Sequence, residues 1–240
     1  MKRNIFAFVL VLSTTTSVFS QVFTSFSVRG SLTETRLKNS ISKIETIVDE
    51  TFDIKNLDFK YKLNSGTSVS DSTPVGKDFT KPQYIKLENA NEGNKVWEVA
   101  VNQLKGTALP FALSFSADLP IDIKTPNPKP WAGYGLDYKR ADAIYFFDEG
   151  VAFYIAFNPG AKELKFNMSL LWKEEFAGEV GVETSANLKN WSTIATCSAS
   201  KPILKNSAFS LPLKPDVKFV RWVYYTRVKQ NVTLNNISVK

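Results

Sequence analysis

Phe219-Val220-Arg221-Trp222-Val223-Tyr224-Tyr225-Thr226-Arg227, followed after a short polar turn by Val232-Thr233-Leu234-Asn235-Asn236-Ile237-Ser238-Val239-Lys240, is the stretch that decides the fold. Both halves are dense in β-branched and aromatic residues, the types that fit a pleated, half-buried surface. Two such runs joined by a turn predict a pair of strands closing a β-sandwich. Alternation along the first run turns Val220, Trp222 and Tyr224 toward the core and Arg221, Val223 and Tyr225 outward, since arginine is rarely fully buried. In the second run Val232 and Leu234 share one parity, whereas Ile237 and Val239 have the other. A β-bulge at Asn235-Asn236 is expected to reconcile both with a single core.

The same period of two recurs upstream. Val151, Phe153, Ile155 and Phe157 share a face, as do Leu164, Phe166, Met168, Leu170 and Trp172. Shorter strands are predicted at 144–147, 180–184, 191–196 and 209–213, and Phe111, Leu113 and Phe115 begin the set. Short strands separated by turn signals predict a jelly-roll β-sandwich over 106–240. Between Asp118 and Gly135, four prolines (Pro120, Pro126, Pro128 and Pro130) predict an irregular stretch instead of a regular central strand. Ahead of the junction at Lys105-Gly106, Leu57, Phe59, Tyr61 and Leu63 alternate with polar residues, and Trp97, Val99 and Val101 alternate with Glu98 and Ala100. Val22–Val28 and Ile44–Val48 are further strand candidates, and Leu37–Ile44 also fits a short helix. This part, 21–105, has the size of a small immunoglobulin-like sandwich. The predicted fold class is all-β: a small immunoglobulin-like sandwich followed by a larger β-sandwich jelly roll. Trp97, Trp172 and Trp191 fall on apolar parities or at strand starts and are expected in the core.

Residues 1–20 have the order of an export signal: Lys2 and Arg3, an apolar run from Ile5 to Leu12, then Val18-Phe19-Ser20 at the cleavage offsets. Cleavage is expected after Ser20. The apolar run is too short to span a bilayer, and no other stretch approaches that length. The expected protein is exported, to a periplasm, a cell surface or the medium. Formal net charge is +7, or +5 once Lys2 and Arg3 are subtracted, and the basic residues are scattered beside acids. That pattern gives no electrostatic footprint for nucleic acid.

What is missing narrows the chemistry. The chain of 240 residues has no histidine, which excludes Ser-His-Asp and Cys-His catalysis and histidine zinc sites. Cys197 is the lone thiol, so no internal disulfide forms and it reads as a small buried apolar residue. Carboxylate, tyrosine, lysine and arginine chemistry stay open. Asp148-Glu149 reads as a hairpin turn, and Glu174, Glu175, Glu179 and Glu183 cluster in sequence without forming an alternating acidic strand. No catalytic constellation emerges.

Several stretches resemble known families. Val182-Glu183-Thr184-Ser185 with Asn187-Leu188-Lys189-Asn190-Trp191-Ser192 resembles the strand-turn-strand of discoidin-type, galactose-binding-like domains. Phe219-Val220-Arg221-Trp222 resembles the Val-Arg strand near their C-terminus, and Leu234-Asn235-Asn236-Ile237 resembles the closing Leu-Asp-Asn-Ile of many carbohydrate-binding jelly rolls. Asn235 replaces the usual Asp; where that Asp helps hold a structural calcium, the replacement argues against the ion. Asp53-Ile54-Lys55-Asn56-Leu57, Ser65-Gly66-Thr67-Ser68-Val69-Ser70, Asp78-Phe79-Thr80 and Val96-Trp97-Glu98-Val99-Ala100-Val101 are similar to immunoglobulin-like domains of secreted bacterial glycan-processing proteins. The resemblance implies a bacterial surface or exported protein that binds a glycan or polysaccharide.

A sugar site needs flat aromatic faces for C–H surfaces and polar groups for hydroxyls. Two places supply them. One is the loop Trp131 to Arg140, with Trp131, Tyr134, Asp137, Tyr138 and Arg140. The other is the outward face of the Phe219–Arg227 strand, where Arg221 and Tyr225 make a small platform. The expected function is non-catalytic carbohydrate recognition without a cofactor. Structural or adhesive binding of another protein is the alternative, and a carboxylate-based glycosidase or a lyase the third class.

Overall fold

A computed structural model describes residues 23–29, 31, 36–38, 42–70, 77–89, 93–115, 127–136, 143–171 and 175–240. Among these the secondary structure is all strand, as the alternation predicts; of the stretch Leu37–Ile44, which also fits a short helix, the described Leu37, Lys38, Lys43 and Ile44 lie in strands. The N-terminal strands are β1 (Phe23–Val28), β2 (Arg36–Lys38), β3 (Lys43–Asp49), β4 (Phe59–Leu63), β5 (Thr67–Val69), β6 (Gln83–Asn89) and β7 (Lys95–Leu104). A five-stranded sheet of order β2-β3-β7-β6-β5 faces a ribbon of β1 and β4. Between them lie Phe23, Phe26, Ile44, Phe79, Ile85, Trp97 and Val99, all buried, with Phe23 edge-on to Trp97 at 4.9 Å. β3 and β7 run parallel, from Lys43 opposite Glu98 to Asp49 opposite Leu104.

The rest of the chain forms β8 (Phe111–Leu113), β9 (Trp131–Tyr134), β10 (Ile144–Phe146), β11 (Ala152–Ala156), β12 (Glu163–Leu170), β13 (Glu179–Ser185), β14 (Ser192–Cys197), β15 (Ser207–Pro212), β16 (Phe219–Thr226) and β17 (Val232–Val239). One sheet has the order β14-β13-β16-β11-β9. The other has β10-β17-β12-β15, with β8 also on β17. From β8 to β13 each strand lies in the opposite sheet from the one before, which is how a jelly-roll sandwich is wound. Phe153, Phe166, Val180, Val182, Val220, Trp222 and Tyr224 fill the gap, and Trp222 meets Phe166 edge-on at 5.3 Å.

The expected bulge is present. Lys165 of β12 pairs with Ser238 and Asn167 with Asn235, so β17 carries one residue more than its partner, and Asn236 has φ 52°. Val232, Leu234, Ile237 and Val239 are thereby all buried in one core. Asn235 uses the kink: its Oδ1 accepts from Phe115 N at 2.8 Å while its Nδ2 donates to Phe115 O at 2.6 Å. That clamp needs a donor and an acceptor on one side chain, which an aspartate lacks. Both amide ends are spent on the backbone of Phe115, two residues past β8, and Oδ1 also accepts from Asn236 N, so Asn235 does not fit a calcium ligand. Among the described residues no group of three His, Cys, Asp or Glu could hold a metal ion.

The N-terminal and C-terminal sheets are joined through a third apolar cluster. Ile47 and Leu104, on the outer face of the five-stranded N-terminal sheet, pack with Ala132, Ala152, Tyr154, Ala156, Leu188 and Val223. The alanines keep the outer face of β9 and β11 flat enough for a second sheet to approach. The backbone helps: Lys105 N donates to Lys129 O and Lys129 N to Gln103 O, each at 3.0 Å, while Asn127 Nδ2 donates to Val101 O at 2.7 Å. Glu45, buried, accepts from Gly135 N at 2.7 Å and pairs with Lys43 at 2.7 Å. Residues 127–135 therefore pin one set of sheets to the other before the chain continues.

Candidate functional site

The outer face of β16 and β13 carries the most elaborate side-chain arrangement outside the cores. Val180 and Val182 face inward, so Gly181, Glu183 and Ser185 face outward, and Glu183 lies opposite Arg221 in the antiparallel register. Glu183 is only 6% exposed. Its carboxylate accepts from Arg221 Nε, from the Tyr225 hydroxyl and, at 3.4 Å, from Thr193 Oγ1. A buried carboxylate needs such partners, and here each comes from a neighbouring strand.

Aromatic rings surround the pair. The Arg221 guanidinium lies 4.2 Å from the centre of the Trp191 ring and 6.0 Å from that of Tyr154. Tyr154 meets Trp191 edge-on at 5.8 Å, and Trp191 Nε1 donates to Leu188 O at 2.9 Å. Stacking suits arginine because its planar cation is weakly hydrated and attracted to ring faces.

Tyr225 forms the open part of the arrangement. A Cβ on Gly181 would lie 2.5 Å from Tyr225 Cε2, so the ring rests in the space that a missing side chain leaves. With its hydroxyl held by Glu183 and its edge over Gly181, the residue is still 37% exposed. Burial first, then the hydrogen bond and charge of Glu183, push its phenol up to about 12. Burial likewise raises the Tyr154 phenol, against a smaller opposing effect from Arg221. Both rings are neutral at physiological pH, so the cluster presents a neutral aromatic surface over an internally balanced ion pair.

The sequence-predicted residues divide accordingly. Arg221 and Tyr225 are brought together at Glu183, but Arg221 is engaged by Glu183 and Trp191 and is not a free donor. Trp131 corrects the loop expectation: 131–134 is strand β9, paired with β11 from Ile155↔Trp131 to Ala152↔Tyr134. All four prolines precede it, Pro130 immediately before the first paired residue, Trp131. Trp131 turns inward, 7% exposed, stacked on Phe153 at 6.1 Å with Lys129 Nζ 4.2 Å from its ring centre. Tyr134 turns the other way, half-buried against the cluster that joins the sheets. Asp137, Tyr138 and Arg140 lie outside the described residues, as does Trp172. Trp97 is core as expected, whereas Trp191 is half-buried on the outer face.

Sequence reasoning missed Gly181 and Glu183 as the seat and anchor of Tyr225. Parity was the available signal: with Val180 and Val182 inward, Gly181 between them and Glu183 after them must point out, beside the strand that carries Arg221 and Tyr225.

No protein-family profile matches the chain, and no curated protein sequence matches it. Solved structures do. A candidate glycoside hydrolase from Bacteroides thetaiotaomicron is similar at a TM-score of 0.50 and 10% identity, over 90% of this chain and 95% of its own. A family 29 carbohydrate-binding module from Piromyces equi is similar over 55% of this chain and 91% of its own, at a TM-score of 0.38 and 6% identity. A cleaved adhesin domain of Lys-gingipain from Porphyromonas gingivalis is similar over 47% of this chain and 93% of its own, at a TM-score of 0.36 and 10% identity. The Bacteroides likeness runs through both sets of sheets and is a likeness of fold.

Proposed function

We propose that the chain is an exported, non-catalytic carbohydrate-binding protein that grips its ligand on the outer face of the C-terminal sandwich, at Tyr225. The observation that carries this reading is the seating of Tyr225: a neutral ring laid over Gly181, fixed by a buried carboxylate and 37% exposed. A ring held in place loses little freedom when a sugar's C–H face settles on it, which lowers the cost of binding. The carbohydrate-binding-module and adhesin folds among its structural likenesses agree with a binding role, and the absence of histidine from the sequence agrees with a non-catalytic one. Glu183 is enclosed by three donors, which suits an anchor better than a general acid or a nucleophile.

In this reading 21–105 is an immunoglobulin-like domain that presents 106–240, a galactose-binding-like domain, after a signal at 1–20 has directed export. The test is a glycan array spanning plant, host and microbial polysaccharides, followed by affinity gels with Tyr225→Ala. Retardation by at least one glycan, lost in the variant, is the expected result. A blank array with capture of a protein partner would replace the reading by an adhesive one. Release of reducing sugar or unsaturated product would replace it by an enzymatic one.

A further inference from the structure

We propose that a groove at one mouth of the C-terminal sandwich is a second binding site, for a single neutral, hydroxyl-rich sugar ring. The groove has a volume of about 630 Å³, within the range of about 300–1,000 Å³ that small-molecule sites occupy. It runs between the β13–β14 connection and the β15–β16 connection; neither Tyr225 nor Glu183 lines it, and Thr193, which donates to Glu183, is the lining residue it shares with that cluster.

Its chemistry is mixed in the way a sugar requires. Leu213 and Val217 give an apolar floor against which a ring's C–H face can lie. Around it stand the Asn190 amide, the Ser192 hydroxyl, the Lys214 ammonium and the Asp216 carboxylate, all on exposed residues. Among the described residues none of these four side chains is tied up in a hydrogen bond or ion pair within the protein, in contrast to the polar groups around Glu183. Donors and acceptors of both kinds are thus left free on one concave surface. The single cation and single anion cancel, which favours a neutral ligand over an acidic one.

The walls are fixed, so little ordering is needed on binding. Asn187 Oδ1 accepts from Lys189 N and Asn190 N, each at 3.0 Å. Leu188, at φ 61°, turns its side chain down into the cluster with Ile47 and Leu104. On the other wall Leu213 N donates to Lys162 O at 2.9 Å, and Lys218 N ties this wall to Ser185 O at 3.0 Å. The turn is therefore braced from beneath by the N-terminal sheet, and the groove stands on geometry independent of Tyr225.

The experiment titrates the full chain with methyl glycosides of galactose, glucose, mannose and N-acetylglucosamine, followed by saturation-transfer NMR and calorimetry. At least one glycoside should bind. Ser192→Ala and Asn190→Ala should each weaken it by about fivefold, the loss of one hydrogen bond. Ser192→Trp should abolish it by filling the groove, with the circular dichroism spectrum unchanged, and Tyr225→Ala should leave it intact. Binding that survives Ser192→Trp, binding that disappears in Tyr225→Ala, or no binding by any of the four glycosides would overturn the proposal. Retained monosaccharide binding alongside a blank polysaccharide array would remove the Tyr225 reading and leave the groove standing.

Discussion

Gly181→Ala tests how the Tyr225 platform is built. Gly181 has no positive φ, so alanine meets no backbone strain there. Its Cβ would lie 2.5 Å from Tyr225 Cε2 and 3.3 Å from both Cδ2 and Cζ, so the ring must move off the sheet. Moving it breaks the hydrogen bond to Glu183, a bond to a charged group, which contributes about 1.5–3 kcal/mol. Replacing glycine by alanine within a strand returns about 0.5–1 kcal/mol. The net cost should be about 1–2 kcal/mol, toward the lower end because the ring is partly in water. Urea unfolding of the wild type, Gly181→Ala, Tyr225→Ala and the double variant measures it. In the Tyr225→Ala background there is no ring to displace, so Gly181→Ala should be neutral or stabilising by up to about 1 kcal/mol. An equal cost in both backgrounds would refute the reasoning, because the penalty would then lie elsewhere than in the ring.

Trp222→Ala should cost about 3–5 kcal/mol in the same assay, as expected for a fully buried indole; Trp222→Phe should cost far less, since the indole Nε1 has no hydrogen-bond partner to lose. Asn235→Asp should destabilise by about 1–3 kcal/mol, because the carboxylate cannot donate to Phe115 O, and added calcium should not restore the loss in a thermal melt. The alkaline limb of stability should also report on Tyr225. Its phenol is pushed up to about 12 in the fold, against about 10 in the unfolded chain, so the folded state favours the neutral form. That contribution is complete below about pH 10 and is lost as pH rises toward 12; Tyr225→Phe should flatten this part of the profile, with Tyr154 and Tyr224, also raised by burial, supplying what slope remains.

Much of this architecture is legible in the chain because alternation is a local signal. Val220, Trp222 and Tyr224 read as inward and are inward, and the parity break between Leu234 and Ile237 reads as a bulge and is one. Trp131 shows where the signal fails. Four prolines in one segment suggest irregular backbone, yet a proline restricts only its own position and the residue before it, and 131–134, which follow the last one, are free to join the edge of a sheet. Trp191 fails for another reason: an apolar residue at a strand start identifies burial but not the face, and here a second sheet supplies cover on the side away from the core. The cluster of Ile47 and Leu104 against Ala132, Ala152 and Ala156 depends on contacts remote in sequence, for which no periodicity within one strand gives notice. The same holds for Glu183, whose role depends on three donors from two other strands.

Calorimetry of the wild type and Tyr225→Ala side by side, with the oligosaccharide that the array selects, tests the proposed recognition surface most directly. The account predicts that the binding heat disappears, or that affinity falls by at least about tenfold, while the variant unfolds in one transition within a few degrees of the wild type. Indistinguishable isotherms for the two proteins would contradict it and move recognition away from the outer face of β16.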